Sequence, residues 1–302
     1  MKVAVMGAGA VGGYFGGILA KSGVDVALIA RGKHLQAMKE KGLFVKSYKG
    51  DFKAKVKTTS DPRAISPVDL ILFTVKSYDT EEAIQLCFPM IRENTSVLSL
   101  QNGIDNDEKI AKAVGWEKVI GGVAYIGVSL EEPGVIRHSA VGKIAFGELD
   151  GRVTDRVKEI AEMFSKAEIP FEISGDIVKL KWKKLVWNAA FNALTTITGA
   201  TVADVMNDAK LRDIAVDAMN EVVEVAQKSG VELDESVIDD ALELSKNLGN
   251  FKTSMLQDFE RGRKTEVEAL NKVVVEKGRG VNVRAPINHC LYSMVSFLEK
   301  RR

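Results

Sequence analysis

The chain has 302 residues, enough for two domains that each bury a core, and its 46% hydrophobic content is that of an ordinary globular protein. Its 42 Lys and Arg against 41 Asp and Glu give a formal charge of +1, with no basic excess to neutralise a nucleic-acid backbone. No apolar stretch is long enough to cross a bilayer and no charged leader precedes the first strand, so the cytoplasm is the expected compartment. Cys87 and Cys290 lie far apart without CxxC spacing and read as two reduced, packed thiols. With only His34, His138 and His289 and no Cys/His cluster, no metal site is expected, and an acid or base made from histidine is not expected either.

Residues 1–31 read as a strand, a glycine-rich turn, a helix and a second strand ending in a cation. Lys2-Val3-Ala4-Val5-Met6 is a short apolar run of the kind buried in a parallel sheet, and Gly7-Ala8-Gly9-Ala10-Val11-Gly12 follows at once. This is GxGxxG in the context it needs. Gly7 permits the tight turn, Gly9 lets the backbone approach a pyrophosphate, and Gly12 lets the helix over residues 10–22 pack closely on the sheet. Ala10 and Val11 open that helix, where free N–H groups favour phosphates. A strand over 24–30 at βαβ spacing turns a weak motif into a dinucleotide-binding unit. NAD-binding members of this architecture carry Asp or Glu at this strand's end for the ribose hydroxyls, but this chain has Arg31, with Lys33 and His34 nearby. A guanidinium fork suits the 2′-phosphate of NADP; a solvated basic loop is the plain alternative.

Further on, the pattern gives a helix to Lys41, a hairpin over 43–59 around Lys49-Gly50-Asp51, and buried strands over 69–75 and 96–100. Lys76 follows the first of these strands, at the carboxyl end where such sheets bind ligands, and can meet a phosphate or ribose. Asn102 follows the second, where Asn-Gly turn chemistry and a role beside a nicotinamide both fit. Strands over 119–130, 135–138 and 143–146, a turn at Glu132-Pro133-Gly134, a helix over 154–166 and a strand over 171–173 complete an α/β domain of residues 1–174. Residues 175–302 show only helical patterns, over 176–195, 208–228, 235–246, 254–262, 266–277 and 286–300. The expected architecture is therefore a Rossmann-type dinucleotide-binding domain followed by an all-α substrate domain.

Lys184, Asn188 and Asn192 stand four apart and stack on one face of a helix that is otherwise apolar. Buried lysine and asparagine are costly unless partnered, so the stripe faces a polar surface or a ligand. The plain alternatives are a solvated turn shared with Lys179, Lys181 and Lys183, and asparagines that bridge two helices. Ser254 reads as an N-cap or an anion donor, Thr265 with Glu268 as a capping box, and Glu266 as a first-turn acid favoured by the helix dipole. A chemical reading competes with these. Reduction of a carbonyl by a nicotinamide needs a proton donor at the developing alkoxide, and with histidine scarce, a partly buried lysine paired with a carboxylate is suited to it.

The stretches GAGAVGG, ARGKHLQAM, TVKSYDT, SLQNG, PGVIRH, WKKLVWNAAFNALT, SMLQDFERGRKTEVEALN and the late Ala285-Pro286-Ile287-Asn288, in that order, resemble the ketopantoate reductase (2-dehydropantoate 2-reductase) family over nearly the full length. The resemblance implies that Lys184 is the general acid and that Asn188 and Asn192 line the substrate site. It places Ser254 and Glu266 at the substrate carboxylate and hydroxyl region, and gives Arg31, Lys76 and Asn102 contacts to the cofactor, with Asn102 also near the substrate. The implied activity is NADPH-dependent reduction of 2-dehydropantoate to (R)-pantoate, a step towards pantothenate and coenzyme A. Its partner is a small 2-oxo acid, and a homodimer is compatible with the sequence. Two rivals stand beside it: a paralogue reducing another branched 2-oxo acid, and a non-catalytic NADPH-binding sensor, which has no need of Lys184 and Glu266 together. The chain departs from the family pattern at Ala193, Lys272 and Phe251, where members carry Pro, Gly and, in some, Asn; the last bears on substrate contact.

Overall fold

The computed structural model describes residues 1–302, and the chain falls into two compact units. One contains residues 1–101 and 106–177, the other residues 102–105 and 178–302.

The first unit runs β1 (Lys2–Met6), α1 (Ala10–Lys21), β2 (Asp25–Ile29), α2 (Gly32–Lys41), β3 (Leu43–Ser47), β4 (Phe52–Ala54), β5 (Lys57–Thr59), β6 (Leu70–Phe73), α3 (Thr80–Cys87), β7 (Ser96–Ser99), α4 (Asn106–Val114), β8 (Val119–Glu132), β9 (Val135–Gly147), α5 (Asp155–Lys166) and β10 (Phe171–Ile173). Within its single sheet, β5-β2-β1-β6-β7-β8 are parallel throughout. The chain moves outward from β1 to β5 on one side and from β6 to β8 on the other, so the winding reverses at the β1/β6 boundary. In open α/β sheets the crevice at such a reversal is where ligands bind.

Alternation within the strands explains the two covered faces. Val3, Val5, Leu70, Leu72 and Leu98 pack with Phe15 and Leu19 of α1 and Ile160 and Phe164 of α5. Ala4, Met6, Ile71, Phe73 and Val97 pack with Ile84 and Cys87 of α3 and Ile110 of α4. Strands buried on both faces read as continuous apolar runs, which is what residues 2–6 and 70–73 show. Phe15, Phe73 and Phe164 are fully buried, and each such side chain contributes about 1.5–3 kcal/mol.

Two expectations need correction in this region and a third concerns a cysteine. The hairpin at Lys49-Gly50-Asp51 exists as β3 and β4, but Lys57–Thr59 leaves it and pairs in parallel with β2 at the opposite edge of the sheet. Both edge positions demand the same period-2 alternation, so the sequence does not separate them. Residues 135–138 and 143–146 belong to one strand, β9, which bulges where Val141 and Gly142 take φ of 60° and 95°. The gap in the pattern is a bulge rather than an end, and it lets the first half of β9 pair with β3 and the second half with β10. Cys87 is buried as expected, whereas Cys290 is exposed on an outer helical face.

The second unit contains α6 (Ile177–Thr198, from Val178 onward), α7 (Val202–Asn207), α8 (Ala209–Lys228), α9 (Val237–Lys246), α10 (Ser254–Glu260), α11 (Val273–Gly280) and α12 (Pro286–Lys300). α6 is apolar nearly all round because it is the core helix: Leu185, Val186, Ala189 and Phe191 pack with Val222, Leu270, Val274 and Leu291. α7 has no counterpart in the sequence patterns, since six residues are too few to show a period; it starts on a Thr201/Asp204 capping box. The helix expected over 266–277 instead opens with a π turn, Glu268–Lys272, which continues into α11. No Thr265/Glu268 capping box forms, because Glu268 pairs with Lys272 and the Thr265 N–H donates to Glu299 Oε1. Inside the π turn Asn271 reaches the core, donating to Ala189 O of α6 (2.8 Å) and to Asn288 Oδ1 (3.0 Å). No helix is long and apolar enough to cross a membrane.

Candidate active site

The first set of functional groups lies at the carboxyl end of β1. Gly7 has φ of 93°, and a Cβ placed there would meet Val75 N at 2.7 Å, so only glycine lets the chain turn this close to the end of β6. Gly12 is closed as well, since an added Cβ would meet Thr74 Oγ1, Gly7 O at 2.6 Å and Val5 Cγ1 at 2.8 Å. Gly9 behaves differently: a Cβ there would meet nothing nearer than Gly7 O at 4.0 Å. The space in front of Gly9 is open, while the space behind Gly7 and Gly12 is filled by the sheet. A helix end with no side-chain cap, fronted by open space, offers the N–H groups around Ala10, Val11 and Gly12 to a phosphate. The groups present fit a dinucleotide pyrophosphate.

The turn is braced by its neighbours. The Ala8 N–H donates to Ile29 O (2.8 Å), and Thr74 Oγ1 donates to Gly7 O (2.8 Å). His34 is spent on the same bracing. Gly134 N–H donates to His34 Nδ1 (2.9 Å), which leaves Nε2 as the protonated nitrogen that donates to Ala8 O (2.9 Å). Burial holds this imidazole below its ordinary pKa, so it is neutral and ties the glycine turn to the β8–β9 turn. His34 is therefore no phosphate ligand, and the basic character at the end of β2 rests on Arg31 and Lys33, both exposed. Arg31 caps α2 in an extended conformation, and its Nη2 lies 3.5 Å from Glu82 Oε1 on α3. Lys76, half-buried, follows β6 and leads into the short turn Ser77–Asp79.

The second set belongs to the helical unit, together with the four residues Asn102–Asp105 that follow β7 in the chain. Lys184 Nζ donates to Asn102 Oδ1 (2.9 Å), and Asn102 Nδ2 donates to Glu266 Oε2 (3.4 Å). One amide thus joins a half-buried ammonium to a buried carboxylate. Burial lowers the Lys184 pKa to about 8; Glu266 opposes the shift and the positive charge of Lys181 adds to it. An ammonium poised there gives up its proton readily near neutral pH, which suits a general acid.

Along the same face of α6, Asn192 Nδ2 donates to Asn188 Oδ1 (3.2 Å), while Asn192 Oδ1 accepts from Met255 N (3.2 Å) and Ser254 Oγ (3.4 Å). Asn192 is therefore the bridge between helices that the plain reading foresaw, and Asn188 has its Nδ2 donor to offer. Ser254 is not the N-cap of α10; Thr253 is, with its side chain accepting from Leu256 N. The solvated-turn reading holds for Lys179 and Lys183, which pair with Asp234 and Asp240 (2.9 and 2.8 Å), but not for Lys181, which is buried, nor for Lys184 on the other face. Sequence reasoning missed Glu82 beside Arg31, and it did not see that Thr74 and His34, both inside quoted motifs, brace the glycine turn. Glu82 sits two residues beyond the TVKSYDT motif, whereas nothing local points to His34 serving Ala8.

Known proteins resemble this chain over its full length. The family model described as ketopantoate reductase PanE/ApbA matches residues 3–151, and its C-terminal counterpart matches residues 176–299. A 2-dehydropantoate 2-reductase of Pyrococcus horikoshii is 34% identical over 99% of this chain and 98% of its own. The crystal structure of a PanE/ApbA family ketopantoate reductase from Ralstonia eutropha JMP134 superposes with a TM-score of 0.94 at 34% identity, covering 100% of this chain and 99% of that one. A D-mandelate dehydrogenase solved with NADH and anilino(oxo)acetate superposes with a TM-score of 0.93 at 28% identity, covering 100% and 99%.

Proposed function

The chain belongs to the ketopantoate reductase family, and on that premise we propose that it reduces 2-dehydropantoate to (R)-pantoate with NADPH in the route to pantothenate and coenzyme A. The observation that supports this most is the Lys184–Asn102–Glu266 relay, a lysine with a depressed pKa linked through an amide to a carboxylate. NADPH, when bound at the glycine turn, would supply the hydride that this reduction needs. Lys184 donates the proton that the carbonyl oxygen takes up as it becomes an alkoxide. Asn102 fixes the position of the ammonium, and Glu266 holds the positive charge until it is needed and accepts from the substrate hydroxyl. The Nδ2 of Asn188 offers a donor to the substrate carboxylate, and Ser254, whose single hydroxyl proton goes to Asn192 Oδ1 in this structure, becomes a second donor by turning that proton to the substrate.

In this reading residues 1–174 carry NADP on Gly7, Gly9, Gly12, Arg31 and Lys76, and residues 175–302 carry the substrate and the acid. The partner is a small 2-oxo acid handled in the cytoplasm. A second reading, reduction of a different 2-oxo acid, draws support from the likeness to the D-mandelate dehydrogenase bound to an oxoacetate. A panel of branched and aromatic 2-oxo acids assayed by NADPH oxidation separates the two. The proposal requires kcat/KM to be highest on 2-dehydropantoate by at least tenfold. A higher value on an aryl oxoacetate selects the second reading, and no oxidation with any member leaves only a sensor.

A further inference from the structure

The sequence offers no acid at the end of β2, where a dinucleotide fold selective for NAD carries one, yet the fold brings one there from another element. Arg31 follows β2 and Glu82 lies in the first turn of α3, the helix after β6. β2 and β6 flank β1, so the two side chains rise from the loops on either side of the glycine turn, and they meet at 3.5 Å. Their side chains are 65% and 70% exposed, and an ion pair that exposed contributes little to stability. Its consequence lies in what it does to the guanidinium. The adenosine ribose of a dinucleotide sits at the end of the second strand in this architecture, which is where Arg31 is already engaged by a carboxylate.

We propose that Glu82 sets the preference between NADPH and NADH, giving up Arg31 to a 2′-phosphate and accepting the ribose hydroxyls when no phosphate is present. The inference rests on the NADPH reading given above. When NADPH binds, Arg31 turns its fork to the phosphate and leaves Glu82 as a like-charged neighbour roughly 6 Å away, a repulsion that lowers affinity by about three- to tenfold for side chains this exposed, where the dielectric is about 40–80. When NADH binds, the carboxylate keeps Arg31 as its counter-ion and presents its free oxygen to the 2′-hydroxyl, the task an Asp or Glu at the end of the second strand performs elsewhere. The chain therefore binds both cofactors and has part of its preference for NADPH removed. Glu81 stands on the same turn, exposed and with the same charge, but without the pair to Arg31. It separates the specific contact from the general field.

The test is equilibrium binding, without any 2-oxo acid, of NADPH, NADH, 2′,5′-ADP and 5′-ADP to the wild type and to Glu82→Gln, Glu81→Gln and Arg31→Ala. Glu82→Gln is expected to tighten NADPH and 2′,5′-ADP by about three- to tenfold, and to weaken NADH by about two- to fivefold. Glu81→Gln should move every ligand by less than twofold, and raising the salt concentration should narrow the Glu82→Gln effect. If Glu82→Gln leaves the NADPH/NADH ratio within twofold of wild type while Arg31→Ala lowers it, Glu82 has no part in specificity and the NADPH reading stands. If Glu81→Gln matches Glu82→Gln, only the overall field matters and the proposal fails. If Arg31→Ala leaves the ratio unchanged as well, the 2′-phosphate is held elsewhere and the premise itself fails.

Discussion

The two ends of the proposed reaction are built by opposite means. At the glycine turn the working groups are backbone N–H donors, and what matters is that side chains are missing from three positions within a six-residue span, Gly7 to Gly12. In the helical unit the working groups are long polar side chains held by partners far away in the chain: Asn102 is 82 residues from Lys184 and 164 from Glu266. A site made of backbone is specified locally and tolerates few substitutions. A site made of side chains is specified by the packing of several helices, and each member can be removed singly.

That difference makes removal of Lys184 the largest expected effect. Lys184→Ala should slow the chemical step by about 10²- to 10⁴-fold, as when a positioned general acid is lost, while the affinity for NADPH stays nearly unchanged. Lys184→Arg should not restore it, since a guanidinium hardly releases a proton near neutral pH. Single-turnover kinetics on 2-dehydropantoate check this, and turnover within a few-fold of wild type would overturn the role. Lys183→Ala provides the control, because Lys183 pairs with Asp240 on the exposed face.

The glycine turn divides more finely. Gly12→Ala forces a Cβ against Thr74 and Val5 behind the turn and should destabilise the fold by about 1–3 kcal/mol, the usual cost of overpacking. An added Cβ at Gly9 meets open space, so Gly9→Ala should cost the apoprotein less stability than Gly12→Ala does. Its NADPH affinity should nevertheless fall by about tenfold or more, since the added methyl occupies the pyrophosphate's approach. Paired denaturation and binding measurements read the two effects apart. Equal loss of stability in both variants would show that the space before Gly9 is structural.

How much the sequence reveals follows the same division. The order of strands and helices in residues 1–47 is legible because a period of two, a glycine motif and a period of 3.6 succeed one another without interruption. The destination of Lys57–Thr59 is not, because nothing in three alternating residues says which sheet edge they join. The stripe of Lys184, Asn188 and Asn192 is legible as a polar face. That Asn192 is spent on Met255 N and Ser254, whereas Asn188 retains a donor, depends on the packing of α10 against α6 and leaves no trace in spacing. The π turn at Glu268–Lys272 is equally silent, since its inward residue, Asn271, is placed by partners on α6 and α12. The family motifs carry the roles of Lys184 and Glu266 further than local patterning does, because the chain alone also reads them as a basic turn and a first-turn acid.

The smallest effect concerns pH, and it distinguishes the half-buried Lys184 from the exposed lysines. Lys184 titrates at about 8 when folded against 10.5 as an ordinary lysine. Between these values the unfolded chain holds a proton that the folded chain has released, so the contribution of this group to stability rises with pH across that window. Below pH 8 both states are protonated and the cost of burying the charge is fully present; above 10.5 it is gone. Relative to Lys184→Ala, the wild type should therefore gain about 1 kcal/mol of stability between pH 8 and pH 9, read from urea midpoints of the two proteins. The rate of reduction should move the other way over the same interval, falling as the ammonium that donates the proton is lost, whereas oxidation of (R)-pantoate by NADP should gain from the free amine. A stability difference that stays flat from pH 7 to pH 10 would mean that Lys184 keeps its proton throughout. A fall in rate at about pH 8 would then have to come from some group other than Lys184.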